Sequence, residues 1–526
     1  MVSIILKRFF LLIHFAVLFC LSLLFSGCAS LPENIKSDHT STMPNASKIS
    51  YINDLLAEHP GQSGVSLIRN GMEAFLARAV LLKQARHSID LQYYIWKDDV
   101  TGKLLYSLLI EAAERGVKIR LLLDDLGART PDRYLAALSA HENIEVRLFN
   151  PFSYRSNRLF NFIIDFNRLN RRMHNKLFIF DQQVAIVGGR NIGDAYFQAS
   201  SSLEFNDFDV FIIGNVISQA TDAFDHFWLD DSVYDASSII QSSASSLTAL
   251  KTELDEFSQG QNNSVYIQSL KKTQLLEELL AEDLKWHWSP VNLIYDKPGS
   301  EDNKPGKTNS IVPALNNALA DTKNELLIVS PYFVPGKKLV EKFAEMIKTG
   351  VKVTILTNSL ASTDVTAVHA GYKKYRKKML RSGVQLYELM PESGQIRAKK
   401  HFFKNQPSAR SSLHAKSYIF DREKIFIGSF NLDPRSANLN TENGVMIENQ
   451  QLADAISNKI YEGLDDYAYR LELTTSKNIL DLPVQTEIRW SNQHHNKSGT
   501  TIEPGSNFFF SLWIQLLSLL PIEQHL

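Results

Sequence analysis

Apolar runs recur along the chain in an order that is repeated once. In the first half they occupy 87–96 (HSIDLQYYIW), the end of 111–125 (EAAERGVKIRLLLDD) and 143–151 (NIEVRLFNP). In the second they occupy 324–334 (NELLIVSPYFV), the end of 341–359 (EKFAEMIKTGVKVTILTNS) and 383–391 (GVQLYELMP). Most are almost continuously apolar rather than alternating, which predicts strands buried on both faces. A helix-patterned segment and a Gly turn precede the second run of each set. Helices interleaved with such strands predict an α/β protein of two similar units with mixed sheets, related by an internal pseudo-twofold.

The next runs of each set carry polar residues suited to chemistry. His174, Lys176 and Asp181 lie in MHNKLFIFD, followed by Gly188, Gly189, Arg190 and Asn191. His414, Lys416 and Asp421 lie in LHAKSYIFD, followed by Gly428, Ser429, Phe430 and Asn431. FDVFIIG at 208–214 and GVMIEN at 444–449 complete the two sets. Strand periodicity puts His and Lys on one face, with the residue between them turned into the sheet. A single His-x-Lys is most simply a core histidine beside a snorkelling lysine. Two copies with matching Asp, Gly and Asn positions point instead to a shared catalytic centre.

Two imidazoles and two ammonium groups suit phosphodiester exchange. One His attacks phosphorus to form a phosphohistidine; the other protonates the departing oxygen and then deprotonates the incoming alcohol or water. Lys176, Lys416, Asn191 and Asn431 are the candidate donors to the phosphoryl oxygens. The scheme needs no metal or cofactor. Asp181 and Asp421 are counted with the cassettes, although their place before turn-like residues suits a structural role better than proton transfer. Aligning 210–214 with 445–449 sets Asp207 opposite Glu442 as carboxylates to orient the imidazoles, with Asp209 an alternative to Asp207.

At 526 residues and 44% hydrophobic content, the chain is long enough for two cores. The expected division is 1–28 as a signal or membrane anchor, 29–55 as a flexible tether, 56–250 as the first unit, 251–310 as a connecting segment and 311–526 as the second unit. Within the connection, 231–265 is Ser-rich and poor in strand pattern, and 271–286 reads as one amphipathic helix. A formal net charge of -1 offers no basic excess for a nucleic-acid partner. Both cysteines, Cys20 and Cys28, lie near the N-terminus, so no disulfide can form beyond them.

Lys7 and Arg8 precede an apolar stretch from Phe9 to Phe25 that ends in Ser26, Gly27 and Cys28, the parts of an export signal. The ending resembles a bacterial lipobox, with Cys28 as the lipidated residue and Phe25 where Leu is preferred. An uncleaved anchor is the alternative, since the run approaches the roughly 20 residues needed to span a bilayer. Ala29 after the Cys resembles the sorting pattern for the outer membrane. Two further segments suit a lipid surface. GYKKYRKKMLRSG at 371–383 would as a helix set basic residues around Tyr372 and Tyr375, and NFFFSLWIQLLSLLP at 507–521 reads as a terminal interfacial helix or a strap over the second unit.

These motifs resemble the paired motifs of the phospholipase D superfamily over about residues 60–520. GGRNIGDAYF, DPRS at 433–436, NTENG and the C-terminal WIQLLSLLPIE are most similar to bacterial cardiolipin synthases of the type C subgroup. The resemblance implies a ping-pong transfer with His174 as nucleophile and His414 as acid and base. It implies phosphate binding by Lys176, Lys416, Asn191 and Asn431, with Asp207 or Asp209 and Glu442 supporting the histidines. The implied reaction moves a phosphatidyl group from phosphatidylethanolamine or phosphatidylglycerol to phosphatidylglycerol, at a bacterial envelope membrane with periplasmic domains, with room for an accessory protein. Hydrolysis to phosphatidic acid by the same histidines, or a noncatalytic membrane scaffold, are the competing readings.

Overall fold

The computed structural model describes residues 31–34, 50–241, 243–262, 264–299, 310–391, 410–477, 483–494 and 496–506. Among these, two large mixed sheets carry the fold. The first orders its strands His287–Ser289, Ser63–Ile68, Asp209–Gly214, Val184–Gly188, Lys176–Phe180, Ser88–Tyr93, Lys118–Asp124, Ile144–Phe149, Val233–Asp235. The second orders them Val291–Tyr295, Asn443–Glu448, Lys424–Gly428, Ser417–Phe420, Glu325–Val329, Lys352–Asn358, Gln385–Leu389, Ala468–Lys477, Pro483–Asn492, Asn496–Thr500.

The repeated apolar runs become equivalent strands. Three are parallel neighbours in each sheet. The strand after each His pairs antiparallel with the first of those three and then forms a hairpin with the strand that ends in glycine. Among the strands added to those predicted is an equivalent pair: Ser63–Ile68 lies antiparallel to Asp209–Gly214, and Val291–Tyr295 to Asn443–Glu448. The chain changes sheet at Pro290, since Ser289 belongs to the first and Val291 to the second. Proline, which lacks a ladder donor, suits that break.

Helices cover the outer faces. Val100–Glu114 begins where Asp99 Oδ1 accepts from Gly102 N at 3.1 Å, and buries Leu105, Tyr106 and Leu109 in the outer core of the first half. Gly336–Lys348 does the same in the second half with Val340, Phe343 and Met346. A third core lies between the sheets. Val187, Val210 and Ile212 of one half share it with Ile427, Val445 and Ile447 of the other. Full burial of each such side chain contributes about 1.5–3 kcal/mol. The two halves are therefore held in one register, and the ends of their strands meet.

Several sequence expectations change. Residues 231–265 hold the short strand Val233–Asp235 and the helix Ala244–Gln261, whose Leu250 and Leu254 join the first core. The stretch 271–286 is not one helix: Gln274–Leu280 ends in a turn with Glu282 at φ 54°, ahead of the strand His287–Ser289. Segment 371–383 divides between the helices Thr366–Lys373 and Arg376–Ser382. Tyr372 is buried and donates to Glu388, while buried Arg376 bonds Glu388 at 3.0 Å and Glu503 at 2.6 Å. Tyr372 and Arg376 are thus withdrawn from the expected face, whereas Lys373, Lys374, Lys377, Lys378 and Arg381 remain exposed beside the half-buried Tyr375.

The export segment with Cys28, most of the tether, and segment 507–521 lie outside the described residues. Among the described residues, no helix is long and apolar enough to cross a membrane.

Candidate active site

Each histidine is gripped by two consecutive residues of the opposite half. His174 N donates to Thr441 O at 2.9 Å, and its ring Nδ1 donates to Glu442 Oε2 at 2.7 Å. His414 N donates to Asn206 O at 2.8 Å, and its Nδ1 donates to Asp207 Oδ2 at 2.6 Å. Backbone position and ring orientation are thus fixed from the same place, which leaves Nε2 as the ring nitrogen with a lone pair. The strands begin only at Lys176 and Ser417, so the histidines precede the ladder instead of lying in it. Their backbone N–H groups are used across the interface between the halves.

That interface is hydrogen-bonded along its length. The strand Leu203–Asn206 runs parallel to Arg410–Leu413, and Thr441 N donates to Arg172 O at 2.9 Å. Asn443 bonds both backbone groups of Lys176, accepting from N at 3.0 Å and donating to O at 3.1 Å. Two glycines make room for the carboxylates. A Cβ on Gly189 would stand 2.3 Å from Asp207 Oδ1, and one on Gly188 2.1 Å from Asp209 Oδ1. Any larger residue would displace these groups.

The structure distinguishes Asp207 from Asp209. Asp209 bonds Arg78 at 2.9 Å and lies 3.5 Å from Arg190 Nη1, whereas Asp207 reaches a histidine. Glu442 is held in turn by Ser429, whose hydroxyl donates to Oε2 at 2.5 Å and accepts from Asn443 N at 3.0 Å.

Both lysines are buried beside the rings. Lys416 Nζ lies 2.6 Å from His414 Nδ1, 3.1 Å from its Nε2 and 2.6 Å from its carbonyl oxygen. Because Nδ1–H is given to Asp207, Nε2 is the ring atom that can accept from this lysine. Lys176 Nζ instead donates to His174 O at 2.5 Å. Burial, reinforced by the two lysines, holds both imidazoles well below the ordinary histidine value. Burial also lowers Lys176 strongly, lowers Lys416 to about 8, raises Asp207 and pushes Glu442 up to about 7. These directions share one cause: a closed site disfavours every unbalanced charge. An entering phosphodiester anion would restore the balance for the lysines.

The asparagines are not equivalent. Asn191 is tied by its oxygen to Ile95 N at 3.2 Å and by its amide to Tyr196 OH at 2.9 Å, whereas buried Asn431 has no partner at Oδ1. Tyr94 meets the His174 ring edge-on with centroids 5.1 Å apart, and Tyr196 does so with His414 at 5.1 Å. Arg435, which bonds Asn170 twice at 2.9 Å, adds positive charge near His174. The sequence reading assigned no role to Ser429, Asn443, Tyr94, Tyr196 or Arg435. Ser429, Arg435, Asn443 and Tyr196 lie in the GSFN, DPRS, NTENG and GGRNIGDAYF motifs; Tyr94 has no local signature.

Asp181 and Asp421 must be removed from the catalytic set. Each lies at positive φ, 45° and 51°, at the far end of its strand, about 15 Å from the lysine end. Asp181 accepts from Arg86, His87 and Ser88 N–H groups, and Asp421 from those of Lys323, Asn324 and Glu325. With their oxygens occupied in fastening the start of the adjacent antiparallel strand, neither carboxylate reaches the histidines.

Comparison with known proteins agrees with this arrangement. The family model for the cardiolipin synthase, phospholipase D-like domain matches residues 79–228 and 315–462. Cardiolipin synthase C of Escherichia coli is 40% identical over 474 residues, covering 89% of this chain and 97% of that protein. A cardiolipin synthase of Geobacillus kaustophilus is 25% identical over 422 residues, covering 79% and 68%. The crystal structure of phosphatidylserine synthase from Haemophilus influenzae shares the fold, with a TM-score of 0.53 at 13% identity, covering 81% of this chain and 92% of that one. The chain belongs to the cardiolipin synthase family with phospholipase D-like domains.

Proposed function

We propose that this protein is a cardiolipin synthase that transfers a phosphatidyl group from phosphatidylethanolamine, or from a second phosphatidylglycerol, to phosphatidylglycerol. The observation that carries this reading is the crossed pair of imidazole–carboxylate bonds, with two buried lysines beside the rings. His174 Nε2 attacks phosphorus as the bond to the donor headgroup breaks, and the departing oxygen takes the Nε2 proton of His414, which enters this step as the imidazolium favoured by the bound phosphodiester anion and by Asp207. His414 Nε2 then takes the proton of the phosphatidylglycerol hydroxyl, whose oxygen attacks the phosphohistidine and frees His174. The lysines offset the charge that builds on the phosphoryl oxygens. Supporting these roles, Lys416 stands beside His414 Nε2 as a cationic neighbour to the proton carrier, whereas Lys176 turns to the His174 carbonyl.

The test is made on the purified full chain in mixed phosphatidylethanolamine and phosphatidylglycerol vesicles, following donor headgroup release and the labelled phosphatidyl group together. Labelled cardiolipin is the expected product. Phosphatidic acid alone over a range of acceptor concentrations would replace the synthase reading with hydrolysis. Where protein alone gives no product, adding native membranes tests for an accessory protein. Dependence on phosphatidylethanolamine would assign that lipid as donor.

Membrane association accords with the family. For this chain we place the enzyme in the bacterial envelope, with periplasmic domains tethered by a lipidated Cys28. Cys28→Ser should abolish lipid labelling and leave the signal uncleaved; unchanged labelling would reject this anchor.

A further inference from the structure

The large apolar side chains that stand exposed are unevenly placed. Among the described residues there are seven, and four of them fall within positions 159–166: Leu159 at 79% exposure, Ile163 at 75%, Phe166 at 47% and Ile164 at 43%. Leu159 and Ile163 lie one turn apart on the helix Arg158–Ile164, so they share a face. The inner side of this helix is held in place. Phe160 meets Tyr154 edge-on, Phe162 meets buried Phe152, and buried Asn161 accepts from Tyr154 N at 2.9 Å and donates to Tyr154 O at 2.8 Å. The segment is fixed with hydrocarbon turned outward, a cluster of the kind that marks an interaction surface.

The charged residues around the cluster are turned to carboxylates. Arg155 bonds Asp125 and Asp132, and Arg168 bonds Asp165, at 2.6–3.0 Å. Arg158 stands 3.8 Å from Asp125 and 3.6 Å from Asp132. What faces outward is therefore chiefly apolar, which fits the acyl layer of a bilayer better than a charged partner.

Two connections identify what covers it. The first is to the site. Asn150 Nδ2 donates to Arg168 O at 3.2 Å and Arg171 O at 3.0 Å, and Asp124 bonds Arg172 at 3.1 Å and Met173 N at 2.9 Å, so the apolar segment and His174 are fastened to the ends of neighbouring strands. The second is to the N-terminal tether. Asn34 Nδ2 donates to Asp231 O at 3.1 Å and Val233 O at 2.9 Å, and Ser232 O between them accepts from Asn150 N at 2.8 Å. Cys28, where the membrane-directed stretch ends, is six residues before Asn34, so the chain can carry it no more than about 20 Å from this point. Tether, apolar segment and His174 segment all meet at Asn150.

We propose that Leu159, Ile163, Ile164 and Phe166 insert into the acyl layer of the phospholipid bilayer to which the tether leads, and seat the His174 side of the site against that surface. Only the benefit of this seating to catalysis rests on the phosphatidyl-transfer reading; the insertion itself is read without turnover.

The test places photoreactive p-benzoylphenylalanine at position 166 of the full chain in vesicles of phosphatidylethanolamine and phosphatidylglycerol. A second preparation carries it at position 265, where Val265 is 56% exposed on another helix. After irradiation, adducts are resolved by gel and mapped by mass spectrometry. Phospholipid adducts should form at 166 at least 10-fold above 265, and should fall at least 10-fold when Leu159→Glu and Ile163→Glu are introduced together. Both of those side chains are mostly exposed, so the thermal melt should not change.

No lipid adduct at 166, equal lipid adducts at 166 and 265, or a yield unchanged by the two Glu substitutions would each overturn the proposal. So would a predominant adduct to a second copy of the chain or to residues 507–521, either of which would name a different occupant. Should the substituted chain unfold, the comparison of 166 with 265 decides by itself. Lipid adducts at 166 without cardiolipin formation would uphold the insertion and reject the transfer reading alone; cardiolipin formation without those adducts would do the reverse.

Discussion

His174 of the first half gives its Nδ1 proton to Glu442 of the second, 268 positions away, at 2.7 Å. The reciprocal bond, from His414 to Asp207, spans 207 positions at 2.6 Å. Neither His174 nor His414 finds its carboxylate within its own half. The duplication therefore produces one site of interdependent parts, and the middle core that aligns the sheets is also what assembles the chemistry.

Substitution at two kinds of carboxylate should separate orientation from scaffolding. Glu442→Gln keeps the shape but weakens the preference for the Nδ1–H tautomer, and by comparison with triad carboxylates should lower kcat by about 10²–10⁴ with little change in thermal stability. Asp181→Asn should do the reverse. It weakens the acceptor of three strand-opening N–H bonds, at a cost of about 1–3 kcal/mol, while turnover by the folded fraction stays within a few-fold of normal. Thermal melts and rates measured on the same preparations check both; equal kinetic losses would reject the division.

Much of this was readable because buried parallel strands write continuous apolar runs, and because duplication exposed the His and Lys positions. Equivalence of Asp207 and Glu442 could be aligned, but the choice between Asp207 and Asp209 could not. Both face the interior on one strand side, and only the positions of Arg78 and Arg190 decide which carboxylate is already engaged. Ser63–Ile68 and Val291–Tyr295 lie far in sequence from the strands they pair with, so no local pattern joins them to the repeated sets. The lysine environments depend on burial from both halves, which no local pattern records. The split at 371–383 likewise follows from Glu388 and Glu503 drawing Arg376 inward, contacts made by distant strands and loops.

His174→Ala and His414→Ala should each reduce transfer by at least about 10³, and the double variant should be little worse than either alone, as expected for groups that act as a unit. Circular dichroism should show both folded. Substantial turnover by either folded single variant would contradict the shared site.

A reaction quenched with acid-sensitive linkages preserved should carry the labelled phosphatidyl group on His174. Peptide mapping checks the position. Label on His414 instead would keep the two-step reaction but exchange the roles of the imidazoles, and label on neither, despite turnover, would favour direct transfer between lipids.

The pH dependence should reveal Lys416. Its ammonium, lowered to about 8 chiefly by burial and partly restored by Asp207 and Glu442, is the form that can stabilise phosphoryl charge. Raising pH through 8 removes that proton from the free enzyme, so kcat/KM should fall on the alkaline side with a midpoint near 8. Bound phosphate favours the ammonium, which should move the corresponding limb of kcat to higher pH. Lys416→Arg provides the control, because a guanidinium stays charged throughout this range. Its rate should be lower at every pH, since the planar group cannot reproduce the short contacts at His414, but the limb near 8 should disappear. A limb that persists unchanged in Lys416→Arg would assign the titration to another group and remove Lys416 from the charge balance of the site.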